Sequence, residues 1–156
     1  MDFPATIGAG LIGGGVMTVI LYMGIAMMPS QMKMNLLYLL GSMMVKQKAM
    51  AYVAGAMMHA MMSIAFALAH VGVYEALNLD SNLLAWGLLF GLVHYMVVGM
   101  ALGMMPMMHP RIQSGDIQAP GAYALAYPKA TAAGFLMLHL LFGLLVGGFY
   151  DVFGGV

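Results

Sequence analysis

Three histidines, His59, His94 and His139, lie deep inside long apolar stretches and carry the side chains of this sequence best suited to chemistry. At about 1.5 Å per helical residue, each would lie roughly 13–17 Å from the same edge of an apolar membrane layer about 30 Å thick. Each also shares a helix face with small residues, which allow another helix to approach closely. A polar side chain at this depth is costly unless it is paired, so an intramembrane histidine is a candidate for a functional site. On the first apolar stretch, Met17 lies nearest this depth on a glycine-containing face.

These residues predict a metal site formed by neutral ligands. Neutral imidazole binds Cu, Zn, Fe and Ni, and a thioether selects Cu(I). The three histidines together with Met17 would hold Cu(I) without a buried carboxylate. Two alternatives remain open. The histidines could hydrogen-bond one another, Thr18, Ser63 or backbone carbonyl oxygens and so stabilise the bundle, or two of them could be the axial ligands of a haem b. Copper is favoured over haem because the apolar interior offers no cation for the porphyrin propionates.

Methionine is frequent, with 21 residues, and many of them lie four positions apart. Such spacing would place the sulfur atoms on one helix face, although methionine is also an adaptable packing residue. The segment GMMPMMHPR at 103–111 is a second candidate metal site, toward the cytoplasm, with Met104, Met108 and His109 as ligands. Without a metal, this segment would be a helix end interrupted by proline. His70 lies near the outer end of its apolar stretch, on the same helix face as His59, and we expect it to be an interfacial residue.

The composition is that of an integral membrane protein. Of 156 residues, 63% are hydrophobic and 6% are charged, whereas about 25% of the residues in a soluble domain are charged. The absence of cysteine excludes disulfides, thiolate metal sites and iron–sulfur clusters. With a formal net charge of zero, the chain offers no basic nucleic-acid-binding surface. No Asp, Glu, Lys or Arg lies deep within an apolar stretch, so we expect no enzymatic activity.

Four apolar stretches are long enough to cross a bilayer, which takes about 20 helical residues. They cover approximately residues 5–28, 50–73, 83–105 and 130–150. Between the first two, residues 35–45 predict a short interfacial or re-entrant helix. The expected fold is therefore all-α: a single transmembrane domain over residues 1–156, built as a four-helix bundle. No Lys or Arg precedes the first stretch, so we expect it to be retained as a span and not cleaved as a signal peptide.

The charged residues predict how the bundle is oriented. Counting the spans places all five Lys and Arg residues on one side, together with Asp116, and the other four acidic residues on the opposite side. The positive-inside rule then places both long loops in the cytoplasm and both termini outside. We therefore expect an integral protein of the cytoplasmic (inner) membrane.

Two segments carry most of a resemblance to a known group of proteins: GLLFGLVHYMVVGMALGMMPMMHPRIQSG at 87–115 and PGAYALAYPKATAAGFLMLHLLFGLLVGGFY at 120–150. With 10–24 and 36–44 included, the chain resembles a family of small multi-pass bacterial membrane proteins that has no assigned function. The MMPMMHP and GAYAL-Y-P elements are its distinctive features. The resemblance implies a four-span fold and methionine-rich spans, but no particular activity.

The expected function is that of a small, non-catalytic subunit within a larger membrane protein complex. Each span has a small-residue face, and no set of catalytic residues is visible. The alternative, of a different class, is a Cu(I)-binding or Cu(I)-conducting membrane protein that uses its intramembrane His and Met residues. A haem b-binding subunit is a second alternative. The expected partners are the lipid bilayer and other membrane protein subunits, with no nucleic acid.

Overall fold

A computed structural model of the chain describes residues 1–154. These residues form four long helices: α1 (Phe3–Met27), α3 (Lys48–Ala76), α4 (Leu83–Gly103) and α7 (Lys129–Phe153). The connections contain three short helices and a 3₁₀ turn: α2 (Leu36–Gly41), α5 (Met105–Met108), α6 (Pro110–Gln113) and the turn at Ala122–Ala124. All four long helices are long and apolar enough to cross a membrane. The predicted all-α class and the four-helix bundle are therefore confirmed.

The bounds of the four long helices differ from the predicted spans by up to three residues at either end. α3 begins two residues before the predicted span 50–73 and ends three residues after it. α2 is shorter than the predicted 35–45, because the helix ends at Gly41 and a turn follows. Gly41 and Gly55 are the points where α2 and α3 meet, and a Cβ atom at either would collide with the backbone of the other helix. The short helix therefore packs tightly on α3.

Contacts between helix ends show that α1 runs antiparallel to α3 and α7. Tyr150, near the end of α7, donates its hydroxyl hydrogen to the carboxylate of Glu75 near the end of α3, at 2.8 Å. The same hydroxyl accepts the backbone N–H of Asp2 at the start of α1. At the opposite end, Thr131 of α7 donates to the carbonyl oxygen of Gln31, which follows α1, at 2.7 Å. All five Lys and Arg residues lie at this second end of the bundle.

α4 and α7 form the most extensive contact between two helices within residues 1–154. A Cβ atom added at Gly87 would collide with the carbonyl oxygen of Gly143, and one added at Gly143 would collide with that of Gly87. One turn further along, Gly91 faces the carbonyl oxygen of His139. The two backbones therefore touch along a glycine face, the arrangement that allows transmembrane helices to associate by close packing.

α1 packs against two helices through a second glycine face. Gly10 and Gly14 lie against Ser63 of α3, and Gly13 lies against the ring of Phe142 on α7. By contrast, α3 and α4 are consecutive in the chain but touch each other little. Side chains that extend from these two helices therefore fill the space between them.

The segment between α1 and α3 folds over the basic end of the bundle and is held by polar side chains. Asn35 accepts a hydrogen bond from the hydroxyl of Tyr22 on α1 and donates one to the hydroxyl of Tyr52 on α3, each at 2.6 Å. The hydroxyl of Thr131 accepts the backbone N–H of Lys33 at 3.0 Å, which fastens the segment to α7. These bonds satisfy polar groups that could not face lipid without a partner.

The long connection at 106–129 is folded against the same end of the bundle. Tyr123 has a φ of 55°, an uncommon value for a residue other than glycine. In this conformation the ring of Tyr123 packs directly on Gly99 of α4. A side chain at position 99 would collide with this ring. Tyr127 donates its hydroxyl hydrogen to the carbonyl oxygen of Gln118 at 2.9 Å. Burial raises the pKa of Tyr127, so the hydroxyl keeps the proton that it donates.

Candidate functional site

A cavity of about 60 Å³ lies in the interior of the bundle. Three histidines and three methionines contribute to its wall: His59, His94, His139, Met17, Met34 and Met62. The remainder of the wall is mostly apolar and aromatic. One water molecule needs about 10–15 Å³ of such volume, so the cavity has room for a metal ion or a few water molecules.

The three histidines of this cavity extend from three different helices at similar depth. They lie 11, 9 and 10 residues from the basic-side ends of α3, α4 and α7, or about 14–17 Å at 1.5 Å per residue. The structure brings them to one cavity together with Met17, which is buried on α1. Met34 and Met62 line the same cavity, although the sequence did not assign them to the site.

His139 has a defined protonation pattern. Its Nδ1 lies 2.7 Å from the backbone carbonyl oxygen of Phe135, one turn earlier on α7. Because a carbonyl oxygen can only accept, Nδ1 carries the proton, and in a neutral ring Nε2 then keeps a free lone pair. Histidines that bind metal ions usually donate their other ring N–H in this way, often to a backbone carbonyl.

The ring of His94 lies between aromatic side chains and His139. It stacks on Phe66 of α3 with ring centroids 3.6 Å apart, and it meets the ring of His139 edge to face at 4.8 Å. Its Nδ1 is buried and has no hydrogen-bond partner. Among residues 1–154, no hydrogen bond joins any two of the histidine rings. The two rings therefore touch without satisfying each other's polar atoms.

His59 lies on α3 beside Gly14 of α1, and its buried Nε2 faces the backbone of Gly14 at a geometry that falls short of a good hydrogen bond. The nearby hydroxyl groups do not supply one. Ser63 donates to the carbonyl oxygen of His59, and Thr18 donates to that of Gly14, each at 2.8 Å. Both hydroxyl groups thus bond to the backbone of their own helices and not to an imidazole.

His70 is buried inside the bundle. It is 5% exposed, and neither ring nitrogen has a hydrogen-bond partner. Its ring lies 5.7 Å from that of His94, which brings it into contact distance of the histidines that line the cavity. This contact agrees with the helix face predicted from the sequence, since His70 lies 11 residues, or three helical turns, after His59. Two histidines three turns apart share one helix face.

The unpaired polar atoms of the protein are concentrated in this region. Within residues 1–154, all five buried side-chain atoms without a hydrogen-bond partner belong to His59, His70, Tyr74 and His94. Leaving such an atom unpaired costs about 1–3 kcal/mol. Within the same residues, no three His, Asp or Glu side chains are grouped so that they could hold a metal ion. A metal ion here would therefore need methionine sulfur as well as imidazole.

The second candidate metal site is arranged differently from the surface site predicted. His109 is fully buried between α5 and α6, while Met104 and Met108 are 52% and 58% exposed. Nε2 of His109 lies 2.9 Å from the carbonyl oxygen of Leu39, and Nδ1 accepts the backbone N–H of Arg111 at 3.2 Å. Both ring nitrogens are thus used within the fold. The ring joins α2 to α6 and does not face the surface with the two methionines.

Comparison of the chain with protein-family models, with curated proteins and with solved structures finds no match. The resemblance to a family of small bacterial membrane proteins therefore stays a prediction. The function has to be argued from the geometry of the histidine cavity itself.

Proposed function

We propose that this chain binds Cu(I) inside the membrane, in the cavity lined by His59, His94 and His139. The observation that carries the proposal is the presence of unpaired ring nitrogens and methionine side chains in the wall of one interior cavity. Imidazole and thioether are both neutral ligands, and the thioether favours Cu(I). A single positive charge also needs less compensation in an apolar interior than the charge of a divalent ion.

A purely structural role accounts less well for the surroundings of these histidines. If the rings held the bundle together by hydrogen bonds, each ring would have a partner on another helix. Within residues 1–154, His139 alone of these three histidines makes a hydrogen bond of good geometry, and its acceptor is the backbone of its own helix. Buried ring nitrogens without partners lower the stability of the bundle. A ligand that bonds to these nitrogens would therefore be favoured.

Haem b fits this interior less well than a metal ion. Pockets that hold larger organic ligands have volumes of about 300–1,000 Å³, against about 60 Å³ for this cavity. The rings of His94 and His139 also meet edge to face at 4.8 Å, which leaves no space for a porphyrin between them.

Anaerobic loading of the purified, detergent-solubilised protein with Cu(I) tests the proposal. We expect one copper ion per chain after washing with a chelator, and both nitrogen and sulfur neighbours in the X-ray absorption spectrum of the copper. Met62→Leu removes a sulfur atom from the cavity wall and should weaken retention of copper. Met57→Leu is the matched control, since Met57 is 63% exposed on the same helix. Protein that retains no copper after loading would remove the proposal.

We further propose that the bundle lies in the cytoplasmic membrane with both termini outside. The support is that all five Lys and Arg residues lie at one end of the bundle, the end that the positive-inside rule assigns to the cytoplasm. The chain has no cysteine. A single introduced cysteine is therefore the only thiol that a reagent can label, and its labelling shows on which side of the membrane it lies. In intact cells, a membrane-impermeant thiol reagent should label Ser81→Cys and leave Ser114→Cys unlabelled. The reverse pattern would refute this orientation.

A second candidate function is that of a non-catalytic subunit in a larger membrane complex. Its support is that Gly8 and Gly15 of α1, two turns apart, have no neighbouring atom within 4 Å of the position of an added Cβ. These glycines are not used for packing within the chain, and a small-residue face allows a helix of another protein to approach closely. Blue-native electrophoresis of native membranes tests this candidate. Co-migration with a larger complex is expected, and migration as a free monomer would count against it.

A further inference from the structure

A second cavity, with a volume of about 360 Å³, lies at the basic end of the bundle. It is formed by two chain segments, residues 42–46 after α2 and residues 110–116 around α6. The charged side chains of Lys46, Arg111 and Asp116 contribute to its wall. This cavity is separate from the histidine cavity, and the copper proposal does not involve it.

Arg111 belongs to the second segment, and its side chain is held against α2 and the first segment. Its guanidinium group donates to the backbone carbonyl oxygen of Lys46 and lies over the ring of Tyr38, 5.7 Å from the ring centroid. A guanidinium group has five N–H donors, so several remain for an anion. Its planar arrangement of donors also matches the oxygen atoms of a phosphate group. Arg111 is therefore fixed in position with N–H donors that remain available to an anion such as phosphate.

The positive charges of this cavity are not neutralised by ion pairs. In the part of the chain that the structure describes, the single ion pair joins the amino group of Met1 to Glu75, which lies at the opposite end of the bundle. Asp116 lines the cavity with Lys46 and Arg111 but pairs with neither. The cavity therefore carries two positive charges and one negative charge, and a singly charged phosphate group would neutralise the remaining positive charge.

Exposed apolar side chains adjoin these charges. Met44 lines the cavity and is 76% exposed, and Val45 lies beside it in the wall. Met107, in the neighbouring helix α5, is 75% exposed. A free phosphate ion would make no use of these apolar groups, whereas a lipid presents a phosphate group and acyl chains together. Basic pockets at the cytoplasmic side of transmembrane helices are suited to such headgroups.

We propose that this cavity binds the headgroup of a phospholipid, with Lys46 and Arg111 holding the phosphate group and the acyl chains lying along Met44. The bound lipid would join the segment after α2 to the segment around α6. The site is thus a specific lipid contact at one end of the bundle and is independent of copper.

Native mass spectrometry of the full chain in detergent, titrated with short-chain phosphatidylglycerol, tests the proposal. Lys46→Gln should weaken lipid binding about fivefold, since one basic residue near the lipid phosphate contributes about 1 kcal/mol. The variant leaves the backbone carbonyl that Arg111 contacts, so folding should be unaffected. Lys46→Gln combined with Arg111→Gln should weaken binding further. Lys129→Gln is the matched control, because Lys129 is an exposed base at the same end but outside the cavity, and it should bind lipid as the wild type does.

Two competitors distinguish the possible ligands. Diacylglycerol, which lacks the phosphate group, should not displace the phospholipid, and inorganic phosphate should do so only at far higher concentration. Equal binding of phospholipid by the wild type and by Lys46→Gln would overturn the proposal. Displacement by diacylglycerol at equal concentration would overturn it as well, and displacement by inorganic phosphate at equal concentration would assign the cavity to free phosphate instead.

Discussion

The rings of His94 and His139 meet edge to face with centroids 4.8 Å apart, although the two residues are separated by 45 positions in the sequence. They extend from α4 and α7, whose backbones touch where Gly87 faces Gly143. The approach of the two histidines therefore depends on the absence of side chains at these glycines. His139 keeps a lone pair on Nε2 because its Nδ1 donates to the backbone, and the two rings form one wall of the cavity.

His139→Leu should weaken Cu(I) binding at least about tenfold, because removing even a group that only orients a metal ligand lowers affinity about 10–100-fold. Leucine is apolar and leaves no unpaired atom, so the helices should still pack. Competition with a chromophoric Cu(I) chelator under anaerobic conditions measures the affinity. Met137→Leu is the control, since Met137 is 62% exposed on the same helix and should leave affinity unchanged. A His139→Leu variant that binds copper as tightly as the wild type would show that His139 is not a ligand.

His70→Leu should stabilise the metal-free protein, because both ring nitrogens of His70 are buried without partners. Removing each unpaired atom should raise the free energy of unfolding by about 1–3 kcal/mol. The accompanying change in packing should have a smaller effect. The midpoint of thermal unfolding in detergent, followed by the fluorescence of the single tryptophan, should rise. His109→Leu should lower it, because the ring nitrogens of His109 have partners that would be left unpaired. A lower midpoint for His70→Leu would mean that its ring has a partner after all.

Gly143→Ala should destabilise the bundle by about 1–3 kcal/mol, since the added methyl group would overlap the carbonyl oxygen of Gly87 and force α4 and α7 apart. Gly15→Ala should be neutral or stabilising by up to about 1 kcal/mol, because alanine favours helix and the space in front of Gly15 is open. Thermal unfolding of the two variants in the same detergent compares them. Equal effects would be inconsistent with close backbone contact between α4 and α7.

Thr131→Val should loosen the segment between α1 and α3. The hydroxyl of Thr131 accepts the N–H of Lys33 and donates to the carbonyl oxygen of Gln31, and valine has a similar shape without the hydroxyl. Losing hydrogen bonds of about 0.5–1.5 kcal/mol each should speed amide hydrogen exchange of residues 31–35 about two- to tenfold per bond. Thr18→Val is the control, because Thr18 bonds only within α1 and should leave this segment unchanged. Unaltered exchange in Thr131→Val would mean that Asn35 alone holds the segment.

The four spans, their number and the approximate depth of His59, His94 and His139 were predictable from the sequence. A span must supply about 20 apolar residues whose backbone groups bond within one helix, so it is a local property of the chain. Depth follows from the fixed rise per helical residue. Met17 was predictable on the same grounds, since it lies at that depth on a glycine-containing face of α1.

Only the tertiary structure determined which side chains share a cavity. His70 is buried beside His94, and Met34 lines the histidine cavity from a segment outside the spans; both positions depend on how separate helices approach one another. His109 is buried for a similar reason, because the chain between α5 and α6 turns its ring toward Leu39. Hydropathy and spacing describe one helix at a time. Contacts between residues far apart in the chain arise from close packing of glycine faces, and that packing decides which polar atoms find partners and which remain free for a ligand.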